Sequence, residues 1–171
     1  MAEAYIVDAV RSPVGRRSGG LSGVHPADLG AHVLRALVDR TGIDPGAVED
    51  VVFGCCDTIG SQAGNVARTA WLVAGYPDHV PGVTIDRQCG SSQQAVHFAA
   101  QGVMSGTQDL VVACGTQNMS AIPISSAGNS RSASTCSIVP PTTPVAPTMA
   151  TRVIAHPPLV RFRPRPTQTP R

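Results

Sequence analysis

No apolar run in this 171-residue chain approaches the roughly 20 residues a membrane-spanning helix needs. No secretory leader is expected at the N-terminus, because Glu3 and Asp8 interrupt the stretch where basic and then apolar residues belong. The five cysteines, at 55, 56, 89, 114 and 136, form no C-x-x-C pair and no Cys/His set with zinc spacing, so a metal site is not expected. An odd count without a leader fits reduced thiols in a cytoplasm. There is no G-x-G-x-x-G or Walker A run to mark a nucleotide-binding fold, and no internal repeat. Only 14% of residues are charged and 42% are hydrophobic, which places the chain among soluble globular proteins and gives it enough material for one domain with a core.

A further absence is local. All eleven acidic residues lie in positions 1–127 beside seven arginines, a formal charge of −4; from Gly128 onward there are six arginines and no acid, a charge of +6. Sixteen of the seventeen glycines precede Gly128, and nine of the fifteen prolines fall in the last 44 residues. Residues 1–127 are therefore expected to form the domain. Residues 128–171, rich in Pro, Arg, Ser and Thr and without helical or strand period, are expected to be a disordered tail or the product of a shifted reading frame. Arg161, Arg163 and Arg165 are basic enough to touch phosphate, but Phe162 is the only aromatic among them, so no nucleic-acid partner is expected.

What is present in 1–127 alternates strand and helix signals. Ala4–Val10 is β-rich and stops at Pro13. Pro26 and Asp28 suit the first turn of a helix that runs through Leu29, Val33, Ala36 and Leu37 to Gly42. Asp50–Gly54 reads as a second strand. Asn65 caps a helix over Val66–Ala74, with Gly75 as its stop. Val83–Gln88, Ser91–Met104 and Leu110–Cys114 complete a β-α-β-α-β-α-β order. The fold class this implies is α/β, a four-stranded parallel sheet with helices on both faces.

Cys89 carries the chemistry. It lies between a strand and a helix start, in Asp86-Arg87-Gln88-Cys89-Gly90-Ser91-Ser92, at the carboxyl end of the sheet where open α/β folds bind ligands. Helix-start N–H groups favour thiolate and would hold a developing oxyanion, and Gly90 leaves the thiol approachable. A helix terminus is worth about 0.3–1 kcal/mol and shuttles no proton, so a separate base, usually histidine, is needed. On these features alone Cys89 stays open between nucleophile and small buried hydrophobe. Cys55, Cys56 and Cys114 read as buried hydrophobes, and His25, His32, His79 and His97 as helix or loop residues without catalytic roles.

The segments AYIVDAVRSPVGRRSGGL, GNVARTAWLVAG, DRQCGSSQQAVHFAAQGVMSG and DLVVACGTQNMS resemble the N-terminal half of thiolases, across about three quarters of the chain. HPADL and QCGSSQQA are most similar to bacterial acetyl-CoA acetyltransferases of the lipid- and steroid-degrading type. The resemblance implies acyl transfer between 3-ketoacyl-CoA or acetyl-CoA and coenzyme A, with Cys89 taking the acyl group as a thioester. It implies coenzyme A as substrate, no metal or redox cofactor, no membrane, and a homo-oligomer in intact relatives. The family's other motifs (a G-H-P-x-G histidine, a C-x-G cysteine and an asparagine), its CoA-binding insertion and a fifth strand cannot be placed here. His156 shares only the His-Pro pair. The chain is therefore expected to be a truncated, weakly active or inactive form. The alternatives are a non-enzymatic fragment of an interrupted gene and a related condensing enzyme of the ketoacyl-synthase type.

Overall fold

The structure is a computed structural model that describes residues 3–129 and the backbone of 154–160. The elements run β1 (Val10–Arg11), α1 (Pro26–Thr41), β2 (Asp50–Gly54), α2 (Val66–Val73), β3 (Gly82–Ile85), α3 (Ser91–Ser105), β4 (Leu110–Gly115), α4 (Ser126–Asn129) and β5 (Ile154–Val160), with short 3-10 turns at Pro45–Ala47 and Gly60–Gln62. β2 lies between β3 and β4 and pairs with both in parallel, with Gly54 opposite Ile85 on one side and Gly115 on the other.

Period-2 alternation divides these strands between two helical layers. Val51, Phe53 and Cys55 of the β2 segment and Val112 and Cys114 of β4 join a core with Leu29, Leu34 and Leu37 of α1 and Ala67, Ala70 and Trp71 of α2. Val52, Val111 and Ala113 point the other way, onto Ala95, Ala99 and Val103 of α3. Helices therefore cover both faces, and strands buried on both sides read as continuous apolar runs. Trp71 is fully buried, and its indole N–H donates to the Pro77 carbonyl at 2.9 Å. No helix among the described residues is long and apolar enough to cross a membrane.

The punctuation residues act as the sequence indicates. Pro26 opens α1, and Gly42 closes it in the left-handed region at φ 65°. Gly75 follows α2 at φ 85°. Asn65 does more than cap α2. Its Oδ1 accepts from the Arg68 amide at 3.1 Å and from the Thr84 hydroxyl at 2.9 Å, and its Nδ2 donates to the Gly82 carbonyl at 2.6 Å. One side chain thus ties the start of α2 to β3. Asn65→Ala is expected to lower stability by about 1–2 kcal/mol, toward the upper end for a lost cap, measured as a shift in the urea midpoint at unchanged slope.

Three expectations are corrected. The N-terminal strand was expected over Ala4–Val10 as a fourth parallel strand, but β1 is two residues long and pairs antiparallel with β5; Tyr5, Ile6 and Val7 are exposed. The reason is edge occupancy: β5 lies antiparallel against β4, giving the order β1-β5-β4-β2-β3, so β1 meets β5 rather than β4. The second correction is β5 itself, a regular element where none was expected. A strand can pair through backbone alone without side-chain period, and the Pro157-Pro158 pair falls in the irregular part of the ladder between Val111 and Ala113. The rest of the tail, for which disorder was expected, lies outside the described residues, and the seam at 128 falls inside α4. Third, β3 stops at Ile85 rather than Gln88, because the chain turns at Asp86.

Candidate active site

Three loops meet at the carboxyl ends of the parallel strands: residues 55–62 after β2, 86–90 after β3 and 116–125 after β4. The turn bearing Cys89 is closed from within. Asp86 Oδ1 accepts from the Gln88 amide at 3.0 Å. The Ser91 hydroxyl accepts from the Arg87 amide at 2.8 Å and donates to the Gln88 carbonyl at 2.6 Å. The Gly90 and Ser91 amides donate to the Arg87 and Gln88 carbonyls, both at 3.1 Å. Gln88 pays for this geometry with a left-handed φ of 51°, an uncommon conformation for a residue with a side chain, immediately before the candidate nucleophile.

Cys89 therefore belongs neither to β3 nor to α3. It stands on a tight strand-turn-helix corner and is exposed. One expectation changes as a result: the Gly90 and Ser91 amides are engaged in closing the turn, so they are not the donors for an oxyanion.

Two glycines set α3 in place. Gly54 and Gly115 end β2 and β4 on the α3 side of the sheet, continuing the alternation of Val52 and Ala113. A Cβ on Gly54 would lie 2.6 Å from the Ser92 Cα and nearer still to the Ser92 nitrogen. A Cβ on Gly115 would strike the Ser92 side chain. The first turn of α3 thus rests directly on the backbone of two strands.

The other thiols differ from Cys89. Cys55 and Cys114 are buried, and burial pushes each up to about 12, for Cys55 with further help from negative charge at Cys56, Asp86 and Asp57. Both keep the role of small core residues. Cys56 departs from the expected buried role. It is half-buried, and its thiol donates to the Gln88 carbonyl at 3.0 Å and lies 3.6 Å from the Ser91 hydroxyl.

Behind the thiols sits a polar knot. Gln62 is fully buried; its Nε2 donates to the Cys56 carbonyl at 3.1 Å and the Asp57 carbonyl at 3.2 Å, and its Oε1 accepts from the Asn118 amide at 2.8 Å. The Asn118 side chain donates to the Ser22 and Val24 carbonyls at 3.0 and 2.8 Å and accepts from the Ser120 and Ala121 amides at 3.1 Å. Gln117 accepts from the Cys56 amide at 2.8 Å, while its Nε2 is buried with no partner among the described residues. None of Cys56, Gln62, Gln88, Ser91, Gln117 and Asn118 was given a side-chain role at the site from sequence. The signal available was position, since every one of them follows the carboxyl end of a parallel strand.

No histidine is hydrogen-bonded to Cys89 among the described residues. His25 Nδ1 caps α1 through the Ala27 amide at 3.2 Å, and His79 pairs with the Gly46 carbonyl at 3.1 Å. His32 and His97 are exposed on α1 and α3. His156 pairs in register with Ala113, toward the middle of β4. No group of three His, Cys, Asp or Glu residues among those described is placed to hold a metal ion.

The chain matches the family described as thiolase, N-terminal domain, over residues 4–141. It is 67% identical over 127 residues to a steroid 3-ketoacyl-CoA thiolase of Mycobacterium tuberculosis, covering 74% of this chain and 31% of that protein. It is 45% identical over 124 residues to a beta-ketoadipyl-CoA thiolase of Escherichia coli, covering 72% and 31%. The crystal structure of the Bacillus anthracis acetyl-CoA acetyltransferase superposes with a TM-score of 0.68 at 44% identity, over 72% of this chain and 31% of that one. The chain spans about a third of the length of these relatives, and with the matched residues, the two-faced parallel sheet and the cysteine corner in agreement it belongs to the thiolase family, through that family's N-terminal domain.

Proposed function

We propose that this chain presents the acyl-accepting thiol of thiolase-type acyl transfer, with Cys89 as the nucleophile. The observation that carries the reading is the corner itself: an exposed thiol at the carboxyl end of the sheet, held by a turn in which Ser91 bonds both Arg87 and Gln88. With a 3-ketoacyl-CoA the Cys89 sulfur attacks the C3 keto carbon, the C2–C3 bond breaks, and an acyl-cysteine thioester remains while the two-carbon fragment takes up the thiol's proton and leaves as acetyl-CoA. With a simple acyl-CoA such as acetyl-CoA the sulfur attacks the thioester carbonyl instead, the C–S bond breaks, and coenzyme A leaves as the thiol. Coenzyme A enters as substrate, and the reading calls for no metal or redox cofactor. The 67% identity to a steroid 3-ketoacyl-CoA thiolase favours a 3-ketoacyl-CoA with a bulky acyl part over acetoacetyl-CoA. A cytoplasmic location and a homo-oligomer complete the proposal.

Acyl transfer also needs a proton acceptor, and none contacts Cys89 among the described residues. The 171-residue chain is therefore expected to accept an acyl group slowly and to turn over far below the ordinary range of about 1–1000 per second. Incubation with acetyl-CoA, followed by mass spectrometry of proteolytic peptides, checks the first point. Acetyl is expected on Cys89 and absent in Cys89→Ser. Acetylation elsewhere with Cys89 unmodified would overturn the assignment. Acetoacetyl-CoA thiolysis at an ordinary rate, abolished in Cys89→Ser, would overturn the expectation of weak turnover.

A further inference from the structure

Cys56 and Cys89 approach each other from neighbouring parallel strands. β2 and β3 pair through Gly54 and Ile85, and the Cys55 amide extends the ladder by donating to the Ile85 carbonyl at 3.0 Å. Paired strands lie about 4.8 Å apart. Cys55 turns into the α1/α2 core, so Cys56, next in the alternation, turns to the α3 side. There its sulfur meets the Gln88 carbonyl at 3.0 Å, and that carbonyl is joined to Cys89 by one peptide bond. Covalent dimensions then hold the Cys56 sulfur within roughly 6 Å of the Cys89 Cα, and the Cys89 sulfur is two bonds from that Cα on an exposed turn, so rotation of its side chain is the motion that brings the two sulfurs together.

We infer that Cys56 is the resolving thiol for Cys89, and that the two form a reversible intrachain disulfide when a hydroperoxide reaches the site. The first step is attack by the Cys89 thiolate on a peroxide oxygen. The O–O bond breaks, hydroxide (or alkoxide) leaves, sulfur loses two electrons to the peroxide and Cys89 becomes a sulfenic acid. In the second step the Cys56 sulfur attacks the Cys89 sulfur, the S–O bond breaks, and the departing hydroxide takes the Cys56 proton to leave as water.

The surroundings favour this order. Cys89 is the exposed thiol and meets oxidant first, while Cys56 is half-buried and already in hydrogen-bond contact with the turn that carries it. Burial chiefly raises the Cys56 thiol above its ordinary range, opposed by the hydrogen bond of Ser91 and reinforced by the charges of Asp86, Cys89 and Asp57, which disfavours its thiolate. Cys55 and Cys114 are buried and take no part. The inference requires an accessible Cys89 thiol but no acyl transfer, so acetyl labelling of the same preparation separates failure of one from failure of the other.

The test titrates the reduced full-length chain with hydrogen peroxide, blocks remaining thiols by alkylation and maps peptides without reduction. A Cys56–Cys89 cross-link, reversed by dithiothreitol, is expected at low peroxide. In Cys56→Ser and Cys56→Ala the same dose is expected to drive Cys89 to sulfinic and sulfonic acid, which dithiothreitol does not reverse. Circular dichroism reports whether those variants fold; should they not, the wild-type cross-link map decides alone. Equal over-oxidation of Cys89 with and without Cys56, or a cross-link from Cys89 to Cys55, Cys114 or Cys136 instead, would overturn the inference.

Discussion

Gly54→Ala is expected to destabilise the protein by about 3 kcal/mol or more, beyond the usual 1–3 kcal/mol of an overpacked core site. An added methyl group meets the backbone of Ser91 and Ser92 rather than the movable end of a side chain, so no rotamer change relieves it. The N-terminal turn of α3 must lift, and the corner that carries Cys89 lifts with it. Two measurements follow: a fall in the urea midpoint, and a change in the rate at which Cys89 reacts with a thiol reagent in whatever fraction stays folded. Gly20→Ala is the control. A Cβ there meets nothing within 4 Å, and the expected change stays within about 0.5 kcal/mol, as for other surface substitutions. A Gly54→Ala protein as stable as Gly20→Ala would show that α3 is not seated on the bare backbone of β2.

Stability is expected to fall steeply at high pH because of Cys114. This thiol is fully buried in β4 against the α1/α2 layer, and burial, only partly opposed by a weak hydrogen bond to Gly115, raises it from an ordinary 9.0 to about 12. A group whose folded-state pKa lies above its unfolded value contributes its full stability below the unfolded value. That contribution is lost as pH rises between the two. The window here runs from about 9 to about 12, with a loss of about 1.4 kcal/mol for each pH unit crossed and roughly 4 kcal/mol in all as an upper figure. Cys55 adds to the effect in the same direction. Urea midpoints of wild type and Cys114→Ala, measured from pH 8 to 11, give the comparison. The variant starts less stable, since it leaves a small cavity, but it should lose stability more slowly above pH 9. Parallel decline of the two proteins would show that Cys114 ionises without unfolding.

The elements that sequence made legible are those with local causes. Proline at the start of α1, the Asn65 cap and the glycines after α1 and α2 each act through their own backbone or the next turn, so reading them needs no knowledge of the rest of the chain. The place of Cys89 in the fold was legible for the same reason: it sits between a strand signal and a helix signal. What was not legible is set by partners distant in sequence. Whether Ala4–Val10 forms a parallel strand depends on what occupies the edge of β4, and that is a segment that begins at Ile154, 39 residues after β4 ends at Gly115. The role of Cys56 depends on the Gln88 carbonyl, 32 residues away. A buried Gln62 or Asn118 looks like any loop amide until the loops are assembled around it. Backbone strain at Gln88 leaves no compositional trace, because glutamine has no special tolerance of positive φ.

The Gln62–Asn118 knot has a further consequence for motion. Two buried amide side chains hold main-chain groups from the loop at 22–24, the loop at 56–57 and the loop at 118–121, and the Asn118 main-chain amide donates to the Gln62 side chain. The links run in series, 22–24 to Asn118 and Asn118 to Gln62 to 56–57, so no one of these loops can swing away without leaving buried polar groups of its neighbour unpaired, at about 1–3 kcal/mol for each. The rim behind Cys89 is therefore a single cooperative opening unit rather than three independent flaps: its amides exchange with solvent together, and any ligand that orders one of the loops stiffens all of them.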